Sequence, residues 1–324
     1  MVMGEKNKIK SIAIACQGGG SHTAFTAGVL KRILKEKEKK YDIVALSGTS
    51  GGAICALLAW YGLLTNDREK AVGLLDSFWT DNSASSFWDM LLNQWIVSTA
   101  RLEGIVTMPE VSPYFYPPWA QDKLRRLLEK HVDFDEIGEL ITPSSPKLLV
   151  GAVEVLSGEF KVFKNREISV DAILASAAIP TFLRAVRIDN DVYWDGLFSQ
   201  NPPIKDFVKV SRASIKPDEI WVIQINPKTR ENEPKSVKEI QDRRNELAGN
   251  LSLNQEIDFI KAVNKWVDHK YLPSNKYKHI EVKSIEMFQE ELDTASKLDR
   301  SQPFIHNMMT FGENQAEKFL SELP

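Results

Sequence analysis

Cysteine and histidine are scarce in this chain of 324 residues: two cysteines, Cys16 and Cys55, and five histidines. A disulfide framework needs more cysteine than that. His22, His131, His269, His279 and His306 form no pair at metal-ligand spacing. The expectation is a reducing compartment and no structural metal, with both cysteines acting as small buried apolar residues. An excess of one charge is missing too, since 41 Lys+Arg stand against 44 Asp+Glu for a net of -3. That leaves no basic footprint for nucleic acid, although a local basic face toward membrane phosphates remains open. With 43% hydrophobic and 26% charged residues, the disordered and collagen-like classes are excluded.

The chain also lacks a clean apolar run of the kind that exports or anchors a protein. Lys6, Lys8 and Lys10 precede an apolar stretch at 12–16 that ends on Cys16. This stretch is shorter than the roughly 7–15 residues of a secretory core, and it reads as a buried first strand. Residues 43–66 carry no charge and could span a bilayer, which takes about 20 apolar residues. Yet Ser47, Gly48, Thr49, Ser50, Gly51 and Gly52 interrupt them, and lipid tolerates such a break only under protein cover. A buried parallel strand at 43–46, a tight turn and a buried helix at 53–64 produce the same run. The expected location is cytoplasmic, with peripheral membrane association.

What is present alternates. A strand at 12–16, a glycine loop, a helix at 23–36 with Phe25, Val29, Leu30, Ile33 and Leu34 at helical spacing, then strand and helix again, predict a mostly parallel sheet covered on both faces. Residues 83–120 break the rhythm with Phe87, Trp88, Met90, Trp95, Met108, Pro113, Tyr114, Phe115, Tyr116, Pro117, Pro118 and Trp119. This aromatic insertion reads as a packed excursion or as a lid beside a site. Hairpins are expected over 147–163 and 186–194, and a helix at 171–178. An apolar strand at 220–225 should be central. A long charged helix at 237–267 should break near Gly249 and Asn250, followed by an edge strand at 280–282 and a closing helix at 313–320. One domain over 1–324 is the simplest account: core motifs at about 11–210 and a helical C-terminal part from about 235.

Gly48-Thr49-Ser50-Gly51-Gly52 fits G-x-S-x-G. A nucleophilic serine must project from a sharp strand-to-helix turn, and its neighbours must be small. The pattern alone is weak: at a glycine frequency of ~7%, a chain of this length shows one by chance about once in ten. Its place between a buried strand and an apolar helix gives it weight. Gly18, Gly19 and Gly20 end the first strand, and in a parallel sheet that loop lies beside Ser50. Bare backbone N–H groups there suit an oxyanion, with Gly51 as a further donor. A dinucleotide loop fails because Thr23 replaces the third glycine and Asp42 begins, rather than ends, the second strand. No Gly-Lys-Ser/Thr follows for a phosphate loop. A serine needs a base, and no histidine has a catalytic context. Asp195, at the end of Val192-Tyr193-Trp194 and before Gly196, is the candidate; apolar neighbours would raise its pKa into a usable range. A lone Asp-Gly is otherwise a turn.

These motifs, in this order, resemble the patatin-like phospholipases over about residues 12–203. Gln17 to Thr23 with Ala27-Gly28-Val29-Leu30 looks like the family's oxyanion loop and helix, and Gly48 to Gly52 like its nucleophile elbow. Ala175 to Phe182 looks like the segment before its aspartate, and Asp195-Gly196 with Asn201-Pro202-Pro203 like the aspartate motif. The resemblance implies a three-layer α/β fold and a Ser50–Asp195 dyad. It implies an oxyanion hole from Gly18, Gly19, Gly20 and Gly51, and hydrolysis of fatty acyl esters of phospholipids or lysophospholipids at a transient membrane contact, without metal or cofactor. His22, where the family usually has a basic residue, would make activity depend on pH near the imidazole range. Leu197 takes the third place of the aspartate motif, usually Gly or Ala. Two other functions fit part of the pattern: an acyltransferase on a related serine-elbow fold, and a catalytically silent module that binds a lipid or a protein.

Overall fold

The computed structural model describes residues 9–37, 41–84, 86–102, 111–180, 182–289 and 292–323. It begins with strand β1 (Lys10–Cys16), helix α1 (Ala24–Leu34), β2 (Tyr41–Gly48) and α2 (Gly51–Leu64). Helices α3 (Arg68–Asn82), α4 (Phe87–Leu102), α5 (Trp119–His131) and α6 (Ile137–Leu140) follow. Next come β3 (Lys147–Glu154), β4 (Phe160–Lys164), α7 (Val170–Ser176), β5 (Val186–Ile188), β6 (Asp191–Asp195) and β7 (Glu219–Gln224). The chain closes with α8 (Val237–Asp268), β8 (Glu281–Glu286) and α9 (Gln302–Ser321). Among the described residues no helix is long and apolar enough to cross a membrane. The uncharged run divides into β2 and the almost wholly buried α2.

One eight-stranded sheet pairs in the order β5-β6-β3-β2-β1-β7-β8, with β4 beside β3. The strands β3, β2, β1, β7 and β8 are parallel, and the antiparallel pairs are the two expected hairpins and β3 with β6. Alternation along β1 decides the layers. Ile12, Ile14 and Cys16 join the larger core with α1, α2, α3 and α9, whereas Ala13 and Ala15 join a second core that holds Leu253 and Ile260 of α8. Burying each of those two large side chains is worth about 1.5–3 kcal/mol, so α8 is firmly part of the second face. The result is a three-layer α/β fold. Cys16 and Cys55 are free and buried, as expected.

Three expectations need correction. The apolar strand at 219–224 is fully buried but lies next to the edge, because β8 is its last neighbour. Helix α8 runs unbroken for 32 residues. Gly249 makes room rather than a break: a Cβ there would come within 2.5 Å of Asn226 Nδ2. The closing helix begins eleven residues earlier than expected, at Gln302. In the aromatic segment, Phe87, Trp88 and Trp95 fall within α4, and Met108 lies outside the described residues. Thr181, in the segment before Asp195, also lies outside them.

Candidate functional site

Ser50 sits where β2 gives way to α2, with φ 56 and ψ -132. A left-handed φ in a non-glycine residue costs on the order of 1–3 kcal/mol, and the surroundings must impose it. Here they do. The Ser50 N–H donates to Ser176 O at 3.1 Å and Ser176 Oγ at 3.0 Å, and Ser176 Oγ donates to Gly151 O at 2.7 Å. Thr49 Oγ1 donates to Gln200 O at 2.6 Å. Glycines keep the turn tight: a Cβ on Gly52 would come within 2.3 Å of Cys16 O.

The register of β3 brings Asp195 to the same place. Leu149 to Val153 pair with β4 on one edge, so β2 and β6 must share the other. Strand β2 ends with Gly48 opposite Val150. Strand β6 enters from the far end and stops with Asp195 opposite Ala152. Two strands running head to head along one edge therefore end facing each other. Gly196 fits under the elbow, since a Cβ there would lie 2.5 Å from Gly151 O and 2.9 Å from Thr49 Cγ2.

Asp195 is 1% exposed and Ser50 7%. The Asp195 Oδ1 accepts the Leu197 N–H at 2.8 Å, while Oδ2 is buried without a hydrogen-bond partner. Burial drives the Asp195 pKa up to about 7, and the Leu197 amide and the nearby Ser50 hydroxyl pull it back only in part. Ser50 is thus close enough to act on the carboxyl without completing a hydrogen bond to it, a looseness common before substrate arrives.

The glycine loop packs directly against the elbow: a Cβ on Gly18 would sit 2.9 Å from Ser50 Cβ. Among the described residues, the N–H groups of Gly19, Gly20 and Gly51 donate to nothing. Gly18 differs from the expectation. Its N–H donates to Asn201 Oδ1 at 2.7 Å, so it has no proton to spare for an oxyanion. Gly20 has φ +56, and a Cβ there would come 2.4 Å from Lys297 O. Gln17 anchors the loop: its Oε1 accepts the N–H groups of Ile225 and Asn226 at 2.8 and 2.9 Å, and its Nε2 donates to Asn250 Oδ1 at 2.9 Å. The loop after Asp195 is tied to the same helix, where Glu256 accepts from the Gln200 side chain and from the N–H groups of Ile204 and Lys205.

His22 is not the titrating cation expected from the sequence. It is buried, bonded through Nε2 to Ser296 Oγ at 2.8 Å and packed against Phe304. Burial, reinforced by the Lys297 charge, lowers its pKa to about 3, so it stays neutral at any working pH. Leu197 matters through its amide and as part of the wall of a cavity of about 370 Å³. Gly18–Gly20, Ser50 and Asp195 open into that cavity. Its lining mixes apolar Ala100, Ile179, Phe182, Leu197, Ala295 and Leu298 with polar residues that come mainly from α8 and from Thr294 and Lys297. The volume suits a small-molecule or single-chain ligand. Sequence reading missed Ser176, Gln17, Asn250 and Lys297 as site residues; only Ser176 and Gln17 lay in a quoted motif.

A serine on a strand–turn–helix elbow, at the N-terminus of a buried helix, with free amides and a buried carboxyl around it, places the chain in the class of α/β proteins with a serine elbow, an arrangement suited to acyl transfer. The model of the family described as patatin-like phospholipase matches residues 14–208. The chain belongs to that family, and with it comes lipid acyl hydrolase activity. Among solved structures it is similar to VipD from Legionella pneumophila, with a TM-score of 0.45 at 11% identity over 97% of this chain and 67% of that one. It is also similar to the type III effector protein ExoU, with a TM-score of 0.39 at 12% identity over 96% of this chain and 53% of that one. This chain thus spans about two thirds and about half of their lengths. No curated protein matches it in sequence.

Proposed function

We propose that the protein hydrolyses fatty acyl esters of phospholipids or lysophospholipids through an acyl-enzyme on Ser50, with Asp195 as the base. The observation that carries this is the buried Asp195 carboxyl with one unpartnered oxygen, held beside a strained serine and three unused amides. Ionised Asp195 takes the hydroxyl proton as Ser50 Oγ bonds to the ester carbonyl carbon. The carbonyl electron pair moves onto oxygen, which receives hydrogen bonds from Gly19, Gly20 and Gly51. Removing one such donor from an acyl-transfer site typically costs about 3–4 kcal/mol of barrier. As the intermediate collapses, the bond to the alcohol breaks and Asp195 gives that oxygen its proton. Water then repeats the sequence on the acyl-serine: Asp195 takes its proton, the acyl bond to Ser50 breaks, and the proton returns to Ser50 as the fatty acid leaves.

The apolar residues of the cavity lining would take the acyl chain. The aromatic segment supports a membrane contact beside it: Tyr114, Phe115 and Trp119 are exposed, and the adjoining Phe182 lines the cavity. Arg184 holds the segment in place by donating to Pro113 O and Tyr116 O. The test is a fluorophosphonate probe together with a panel of phospholipid and neutral-lipid esters. Labelling should map to Ser50, and Ser50→Ala should abolish both labelling and turnover while the protein stays folded. Undiminished turnover in a folded Ser50→Ala protein would dispose of the acyl-enzyme.

A further inference from the structure

The charged groups around the cavity are not balanced. Arg101 and Lys238 both pair with one carboxylate, Asp293, at 3.2 and 2.9 Å. Lys297 pairs with no carboxylate among the described residues. Its ammonium donates instead to Asn245 Oδ1 at 2.7 Å and Asn226 Oδ1 at 2.9 Å, two neutral amide oxygens. Of the nearest acids on α8, Glu246 is paired with Arg230 and Arg243, while Asp242 accepts the Thr294 N–H at 2.9 Å, lines the same cavity and lies beyond ion-pair distance of Lys297. Two acceptors occupy two of the three ammonium protons and leave one for a ligand. The amides also fix the head of a side chain that would otherwise be flexible. Gly249 has no side chain where Asn226 needs the space, so this arrangement is built into α8. The Lys297 backbone rests on Gly20 of the amide loop, and Lys297 and Ser50 line the same cavity. A partly buried ammonium without a counter-ion is costly, and an anion supplied by the ligand offsets that cost through a charge-assisted hydrogen bond. Burial accordingly lowers the Lys297 pKa to about 8, despite Glu246 and Asp242 nearby.

We propose that Lys297, held by Asn226 and Asn245, is a specificity-determining residue that binds the phosphate of a substrate whose acyl ester faces Ser50. The enzyme then selects phosphate-bearing acyl lipids over neutral acylglycerols of the same chain length. This rests on the reading of Ser50 as nucleophile.

The test compares kcat/KM for a lysophospholipid and for a monoacylglycerol with the same acyl chain, in the same neutral-detergent micelles. Lys297→Gln keeps length and hydrogen-bond donors but removes the charge. It should lower the ratio of the two values at least tenfold, and Lys297→Arg should restore it to within about threefold of wild type. An unchanged ratio, or equal losses on both substrates, overturns the proposal and leaves Lys297 a structural residue. A binding arm needs no turnover: an ether-linked lysophospholipid, titrated into Ser50→Ala protein, should bind at least tenfold more weakly once Lys297→Gln is added. Equal binding with and without the lysine also overturns it. This arm reports on Lys297 even if Ser50→Ala retains turnover and the nucleophile assignment fails. Inorganic phosphate distinguishes a lipid-borne from a free anion. Millimolar competition with the ether lipid, lost in Lys297→Gln, supports the headgroup role, whereas micromolar binding of inorganic phosphate would make the site one for free phosphate and overturn the selectivity.

Discussion

Replacing Asp195 with asparagine should change stability with pH in a direction opposite to that of a salt-bridged aspartate. Burial lifts this carboxyl from 3.8 to about 7 in the folded protein. Below pH 4 the folded and unfolded chains both hold the proton, and the group contributes nothing to the difference between them. As pH rises from about 4 to about 7 the unfolded chain ionises and the folded one does not, so stability falls by up to about 1.4 kcal/mol per pH unit. Above pH 7 both are ionised, and a penalty of about 4 kcal/mol persists. Asparagine cannot ionise and escapes it. Any fixed gain or loss from the new amide is the same at every pH. Urea unfolding of wild type and Asp195→Asn at pH 4.5, 6, 7 and 8 reads the difference directly. The variant should gain on wild type steadily up to about pH 7 and then level off, while losing ester hydrolysis at every pH. Wild-type kcat/KM should rise over the same window and plateau above it, since only the ionised form accepts the Ser50 proton. A stability difference independent of pH would mean that Asp195 is not held protonated by burial, and the argument for its tuning would fail.

Two further changes probe the surroundings. Ser176→Ala removes the hydroxyl that bridges Ser50 N and Gly151 O, so it should cost about 1–2 kcal/mol in unfolding and lower kcat more than it raises KM; an unaltered kcat would show that the elbow holds its shape without that bridge. Phe115→Ser combined with Trp119→Ser removes two large exposed aromatics and should weaken sedimentation with anionic phospholipid vesicles by about tenfold or more, as loss of a few kcal/mol of apolar burial requires; equal sedimentation would place the membrane contact elsewhere.

The parts of the site legible in the sequence are those in which local geometry and chemistry coincide. A turn that must bend sharply between a buried strand and a buried helix needs glycines around its serine, so residues 48–52 declare the shape from which the proposed role follows. The amide loop at 18–20 is legible for the same reason. His22 misled because residue type alone suggested a titrating group, whereas its pKa is set by burial and by the Lys297 charge, residues apart in the chain. Gly18 misled because its neighbour Asn201 takes the N–H, and spacing along a chain carries no record of such a bond. Gly249 read as a helix breaker because the residue it accommodates, Asn226, belongs to another element.

Periodicity, glycine placement and the lack of ligand chemistry were enough by themselves to determine a parallel α/β sheet, its two hairpins and the separate halves of the site. Only the tertiary structure decided that the halves meet. Strands β2 and β6 occupy successive stretches of one edge of β3, and the pairing of backbone amides that creates this register is indifferent to side-chain identity. The same holds for α8, which grips both loops through Asn250 and Glu256, and for Lys297, whose two amide acceptors, Asn226 and Asn245, come from distant parts of the chain. An electrostatic environment is a sum over neighbours in space, and neighbours in space are what a linear pattern leaves unspecified.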